Sequence, residues 1–153
     1  MPEEKILKIE TGAENPILRK KCENIRKITP GIKKLIREMV KISLKKGIGL
    51  AANQIGKSLR LFVVTLPIGK EYYINTFINP EIIKTAREQI IDKEGCLSLP
   101  NFTAGIKRFN DLTLKYLDEN ERDKNLEASG LLARVIQHEM DHLNGILICD
   151  KQI

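Results

Sequence analysis

The chain has only two histidines in 153 residues, and they stand four apart in the segment QHEMDH, Gln137 to His142. On a helix that spacing places two imidazoles one turn apart, close enough to converge on a single metal ion. Glu139 follows the first of them, where its carboxylate can reach a water on the same ion. This is the HExxH arrangement, in which the acid serves as general base. So short a pattern also arises on a surface helix or as a hydrogen-bonded pair of core histidines, so its setting matters. Leu131, Val135, His138 and His142 succeed one another at spacings of four, three and four, and the histidines therefore continue an apolar stripe that turns inward. Leu132, Ile136, Glu139 and Leu143 form the stripe beside it. Polar groups on a buried surface are costly unless something satisfies them, which favours a ligand over a bare core.

Such an ion needs a third protein ligand, and the eleven residues after His142 contain neither histidine nor glutamate. A cysteine is the natural donor, because thiolate binds zinc and iron well. Cys22 lies in a basic segment expected to be exposed, and Cys149 lies in the apolar run ILIC, where it reads as a small hydrophobe. Cys96, in EGCLSLP, is best placed for presentation by a loop or strand edge, its plainer reading being an ordinary buried cysteine. Three widely separated cysteines fit neither a disulfide framework nor a CxxC knuckle, so reduced thiols are expected.

The elements that must position these groups can be traced along the chain. Thr29 and Pro30 have the types of an N-cap and first helical position, Gly47 that of a stop, and Ile32, Leu35, Ile36, Met39 and Val40 supply the buried face between them. The segments LRLFVVTL, YYINTFIN and LTLKYL, between Leu59 and Leu117, are rich in β-branched and aromatic residues and read as strands of antiparallel sheet. DENERD (Asp118 to Asp123) reads as a turn, NLEA as a last short strand, and Ser129 and Gly145 bracket the second helix. The expected fold is α+β, a single domain over residues 1–153 with an N-terminal helix and antiparallel or mixed sheets wrapped around a C-terminal metal-binding helix.

No apolar run approaches the ~20 residues of a membrane span, and the opening MPEEKILKIE lacks a signal-peptide core. A soluble cytoplasmic protein without a membrane partner is expected. The net charge of +6 is unevenly spread, since basic residues crowd the stretch from Arg19 to Lys46 against only Glu23 and Glu38. A solvated helix face is the plain reading, and a weak attraction to RNA without sequence specificity is the sharper one.

Three segments, GIGLAANQ (Gly47 to Gln54), EGCLS (Glu94 to Ser98) and QHEMDH, resemble in kind and order the signature motifs of the peptide deformylase family. ENPILRK, INPEI and LNGIL extend the likeness over nearly the whole chain. The resemblance implies a hydrolase that removes the formyl group from the N-terminal formylmethionine of newly made polypeptides and releases formate. It implies one divalent ion per chain, usually Fe2+, on Cys96, His138 and His142 with a water as fourth ligand; Zn2+, Ni2+ or Co2+ suit the same donors. Such an ion brings its water toward a pKa of ~7, and Glu139 would take the water's proton and later deliver it to the leaving amine. By the same likeness Gln54 and the backbone N–H of Leu97 donate to the developing oxyanion, while Ile48 and Gly49, with Gly95, hold the peptide in an extended pose. Leu131 and Val135 would wall the methionine pocket, or be plain core.

Read without the resemblance, Gln54 is a polar loop residue, and Gly47 and Gly49 are turn glycines. Glu94 and Arg108 read as solvated surface, pairing behind the ligands being the weaker alternative. The chain departs from the family at Thr103, where many bacterial members have arginine, and at Ile148, where phenylalanine is common. It stops three residues beyond Asp150, short of the C-terminal helix of many members. The expected partners are N-formylmethionyl nascent polypeptides, with weak ribosome association through the basic N-terminal region. Two other readings are an HExxH endopeptidase, which lacks its downstream ligand here, and a basic RNA-binding protein with a structural metal, which lacks a fourth protein ligand.

Overall fold

In the computed structural model, which describes residues 7–153, the capping chemistry of the first long helix is as its residues demand. The Thr29 hydroxyl accepts from the Ile32 amide at 3.2 Å, Pro30 opens the first turn, and helix α2 (Pro30–Lys46) ends at Gly47. A single turn, α1 (Pro16–Arg19), capped by Asn15, precedes it. Leu35, Ile36 and Met39 are buried, Ile32 and Val40 are partly buried, and Lys33, Lys34, Arg37, Lys41 and Lys45 face outward. The first six residues of the expected domain lie outside the described range.

Seven strands follow in two sheets. β1 (Gly49–Ala51), β2 (Leu61–Ile68), β3 (Glu71–Thr85), β6 (Asp111–Leu117) and β7 (Asp123–Ser129) form one sheet in the order β1-β2-β3-β6-β7. β4 (Gln89–Cys96) and β5 (Leu99–Phe109) pair separately as a hairpin. A 3-10 turn (Ala52–Ile55) links β1 to β2, and α3 (Gly130–Leu143) is followed by the single turn α4 (Ile148–Lys151). All pairings between these strands are antiparallel, so the mixed alternative is not realised; the parallel bridge between Glu23 and Leu59 is isolated.

Strand alternation divides the larger sheet between two helices. Phe62, Val64 and Phe77 turn toward Ala133, Val135, Ile136, Met140 and Leu143 of α3. Leu61, Val63 and Ile78 turn toward Leu35, Ile36 and Met39 of α2. Each such buried side chain stabilises by about 1.5–3 kcal/mol relative to exposure. The β4–β5 hairpin lies against α3 as well, so this one helix is held between the sheet and the hairpin in a single domain.

Cys22 departs from its expected exposure. It is 4% exposed, because its segment runs over the end of α3 and its amide donates to the Leu143 carbonyl at 2.9 Å. Gly145 ends α3 with a φ of 73°, and a Cβ there would collide with the Arg19 carbonyl. Among the described residues no helix is long and apolar enough to cross a membrane.

Candidate metal centre

Two elements that share no sheet supply the donors. α3 presents His138 and His142 one turn apart, and the last residue of β4 presents Cys96. The Cys96 Sγ lies 3.3 Å from His142 Nε2, and one donor atom from each of the three residues lies within 4.8 Å of the others. Cys22 and Cys149 are outside this group, Cys22 in the core under the large sheet and Cys149 against the small cluster around Leu147.

Behind His138 stands a buried ion network. One oxygen of Glu94 accepts from His138 Nδ1 (2.9 Å) and Arg108 (3.0 Å), and the other accepts from Arg108 (3.0 Å) and Arg134 (2.6 Å). All four acceptor positions of the carboxylate are thereby engaged, which fixes its plane and keeps His138 Nε2 turned toward Cys96 and His142. Burial alone would raise the Glu94 pKa, but the bonds from His138 and Arg108 hold it down at about 2. Arg108 also pairs with Asp141, and Arg134 donates to the carbonyls of Ile106 and Ile90, one on each strand of the hairpin. Glu94 and Arg108 are therefore not solvated surface but 7% and 3% exposed. The exposed reading fails because their partners lie 14 to 44 positions away in the chain.

Glu139 is buried, with Oε1 3.9 Å from His138 Nε2 and Oε2 without a hydrogen-bond partner among the described residues. Burial pushes its carboxyl up to about 7. Burial opposes a charge on His138, whereas its contacts with Cys96 and Glu94 favour one. The His142 pKa falls well below its ordinary value through burial and the charges of His138 and Arg108. A cysteine sulfur and two histidine rings within reach of one another, beside a buried carboxylate with a spare acceptor, fit the donor set of a divalent ion.

A cleft of about 590 Å³ opens above these groups. Of the residues singled out from sequence, Ile48, Gly49, Gln54, Gly95 and Leu97 line it on the β1 and β4 sides, and Leu131 and Val135 line it on α3. Leu131 does not turn inward with its stripe. It is 55% exposed, because the first turn of α3 overhangs the cleft instead of the core. Gly49 runs so close to α3 that a Cβ would sit 3.0 Å from Val135 Cγ1 and 3.3 Å from the Glu139 carboxyl carbon. Gly95 meets only ordinary contact at 3.7 Å, so no steric reason requires glycine there.

Gln54 is a buried strut rather than a loop residue. Its Oε1 accepts from the Ala51 amide at 2.9 Å, and its Nε2 donates to Ser98 at 3.1 Å and points to Cys96 Sγ at 3.9 Å. Sequence reading missed Asn53, which donates to the His142 carbonyl at 2.7 Å, and Gln137, whose amide forms hydrogen bonds with both backbone groups of Phe109. Both lie inside the segments GIGLAANQ and QHEMDH, and that placement was the available signal.

The family described as "Polypeptide deformylase" matches residues 6–153. A peptide deformylase of Dictyoglomus turgidum is 45% identical over 91% of this chain and 88% of its own length, and one of Thermodesulfovibrio yellowstonii is 47% identical over 88% and 82%. The crystal structure of peptide deformylase from Thermotoga maritima superposes with a TM-score of 0.89 at 36% identity, covering 97% of this chain and 98% of that one. The Synechococcus elongatus peptide deformylase in complex with actinonin gives 0.89 at 37%, covering 96% and 79%. With the match spanning nearly every residue, this chain belongs to the polypeptide deformylase family.

Proposed function

We infer that this chain is a metal-dependent hydrolase that removes the N-formyl group from nascent polypeptides. The observation that carries the reading is the convergence of Cys96, His138 and His142 beside a buried Glu139, at the floor of a cleft open to an extended peptide. In our assignment Cys96 Sγ and the Nε2 atoms of His138 and His142 would hold one divalent ion. When bound, that ion supplies Lewis acidity and lowers the pKa of a coordinated water.

The chain's own groups do the rest. Glu139, buried and with an acceptor oxygen to spare, would take a proton from the water that adds to the formyl carbon and give it to the methionine nitrogen as the C–N bond breaks, leaving formate and a free amine. Gln54 Nε2 and the Leu97 N–H are assigned to the formyl oxygen, where preorganised donors contribute about 3–4 kcal/mol each to the transition state. Ile48 and Gly49, on the edge of the larger sheet, align the peptide backbone with Gly95 opposite, and Leu131 and Val135 take the methionine side chain. Glu94 fixes the tautomer of His138.

The soft thiolate with two imidazoles suits Fe2+, which we assign as the native ion, and accepts Zn2+, Ni2+ or Co2+. We place the enzyme in the cytoplasm, with the outward cations of α2 giving weak, salt-sensitive ribosome association. Anaerobic purification, metal analysis and a formate assay with formyl-Met-Ala-Ser test the reading together. One equivalent of divalent metal and formate release are expected. A metal-loaded chain that releases none would overturn it.

A further inference from the structure

Lys46 and Lys93 stand on opposite walls of the cleft, Lys46 at the end of α2 just before the Gly47–Gly49 backbone and Lys93 on β4 just before Glu94. Both are exposed, and neither ammonium has an ion-pair partner among the described residues. The cleft's acidic groups do not offset them. Glu94 is consumed by His138, Arg108 and Arg134, and Glu139 is buried on the floor. The charge of Arg134 is likewise spent on Glu94. Asn101 and Thr103, which also line the cleft, are neutral. Asp92 is exposed on the same strand but does not line it. The mouth therefore carries two free positive charges and no free negative one.

This bears on the reading just given, on which the inference rests. A peptide with its formyl end at Cys96, His138 and His142 and its methionine against Leu131 and Val135 sends its next residues outward between the two walls. We propose that Lys46 and Lys93 select substrates with an acidic side chain, aspartate or glutamate, in the first positions after the methionine. Each exposed ion pair gives about a two- to fivefold preference, which salt screens.

The metal-loaded enzyme is assayed on formyl-Met-X-Ala and formyl-Met-Ala-X with X as Glu, Gln or Lys, at low and high salt. The expected kcat/KM order, at one position or both, is Glu above Gln above Lys. The Glu-to-Lys ratio should be roughly fivefold or more at low salt and shrink toward one near 1 M salt. The double variant Lys46→Glu with Lys93→Glu should invert the order. The same charge change at Lys33 and Lys34, exposed on α2 away from the cleft, should leave it standing and so separates local selection from attraction by the net charge of +6.

A ratio of one or below for the unaltered enzyme at both positions overturns the proposal. So does a ratio that the cleft variant leaves unchanged, or one that the α2 variant shifts as much. Formate from all three peptides at equal rates sinks the selection alone. No formate even from the glutamine peptides sinks the underlying reading and the selection with it.

Discussion

A Cβ on Gly49 would press first on Val135 Cγ1, at 3.0 Å, and next on the Glu139 side chain, at 3.3 Å. Gly49→Ala must push Val135 and Glu139 aside by a few tenths of an ångström, and displacement of the group assigned to proton transfer is costly to rate. We expect kcat to fall about tenfold or more with metal content intact. An alanine variant with unchanged kcat would show that the backbone yields there instead. On the proposed mechanism Glu139→Ala leaves Cys96, His138 and His142 in place and removes the assigned proton carrier, so the metal should stay while deformylation drops about 10²- to 10⁴-fold. Undiminished turnover would end that assignment. The cysteines divide by position: Cys96→Ala should lose metal on purification, whereas Cys22→Ala and Cys149→Ala, both outside the donor group, should keep it. Metal analysis of the three purified variants decides the ligand.

Between elements, the problem the fold solves is to hold a hairpin and a helix in register although no sheet joins them. Glu94 on β4 is the joint, bonded to His138 and Arg134 of α3 and to Arg108 of β5. Glu94→Gln keeps the shape but leaves the buried Arg134 guanidinium without a carboxylate partner among the described residues and Arg108 with Asp141 alone, at a cost of about 3–5 kcal/mol, and weakens the hold on His138. Metal affinity should fall about 10- to 100-fold, read by competition with a chelator alongside urea unfolding. Affinity and stability equal to the parent would reduce Glu94 to a bystander. This joint was the least legible part of the sequence. The helices announced themselves through Thr29, Pro30, Gly47 and the apolar period, and β2, β3 and β6 through their β-branched and aromatic runs. β4 carries the mixed segment QIIDKEGC, largely exposed, whose pairing partner is β5 rather than a core, so alternation gave no signal. Arg134 and Gln137 are polar residues buried on a helix by partners on another element, and spacing along one chain cannot show that. The three residues of the candidate metal centre were legible as a group because scarcity singled out the two histidines and the setting of EGCLSLP favoured one cysteine, and the structure brings them together.

Across the whole molecule, the segment around α1 is fastened to the turn after α3 at a distance of 131 positions in sequence. The Arg19 guanidinium pairs with both oxygens of Asp150 and donates to the carbonyls of Ala13 and Gly145, and the Gly145 backbone lies against the Arg19 carbonyl. Asp150 in turn accepts from the Leu147 amide at 2.9 Å. The Arg19 bond, foremost, outweighs partial burial and lowers the Asp150 pKa below its ordinary 3.8. A carboxylate depressed on folding contributes stability that is fully present above its unfolded value and is lost as pH falls through the folded one. Because the pair is partly exposed, the effect is modest and salt-sensitive. Asp150→Asn should therefore unfold at lower urea than the parent near neutral pH, and the gap should begin to narrow near pH 3.8 and close only below the lower pH at which the folded parent's carboxylate takes up its proton. A gap that stays constant down the same acid series would mean that packing, not charge, joins the two ends of the chain.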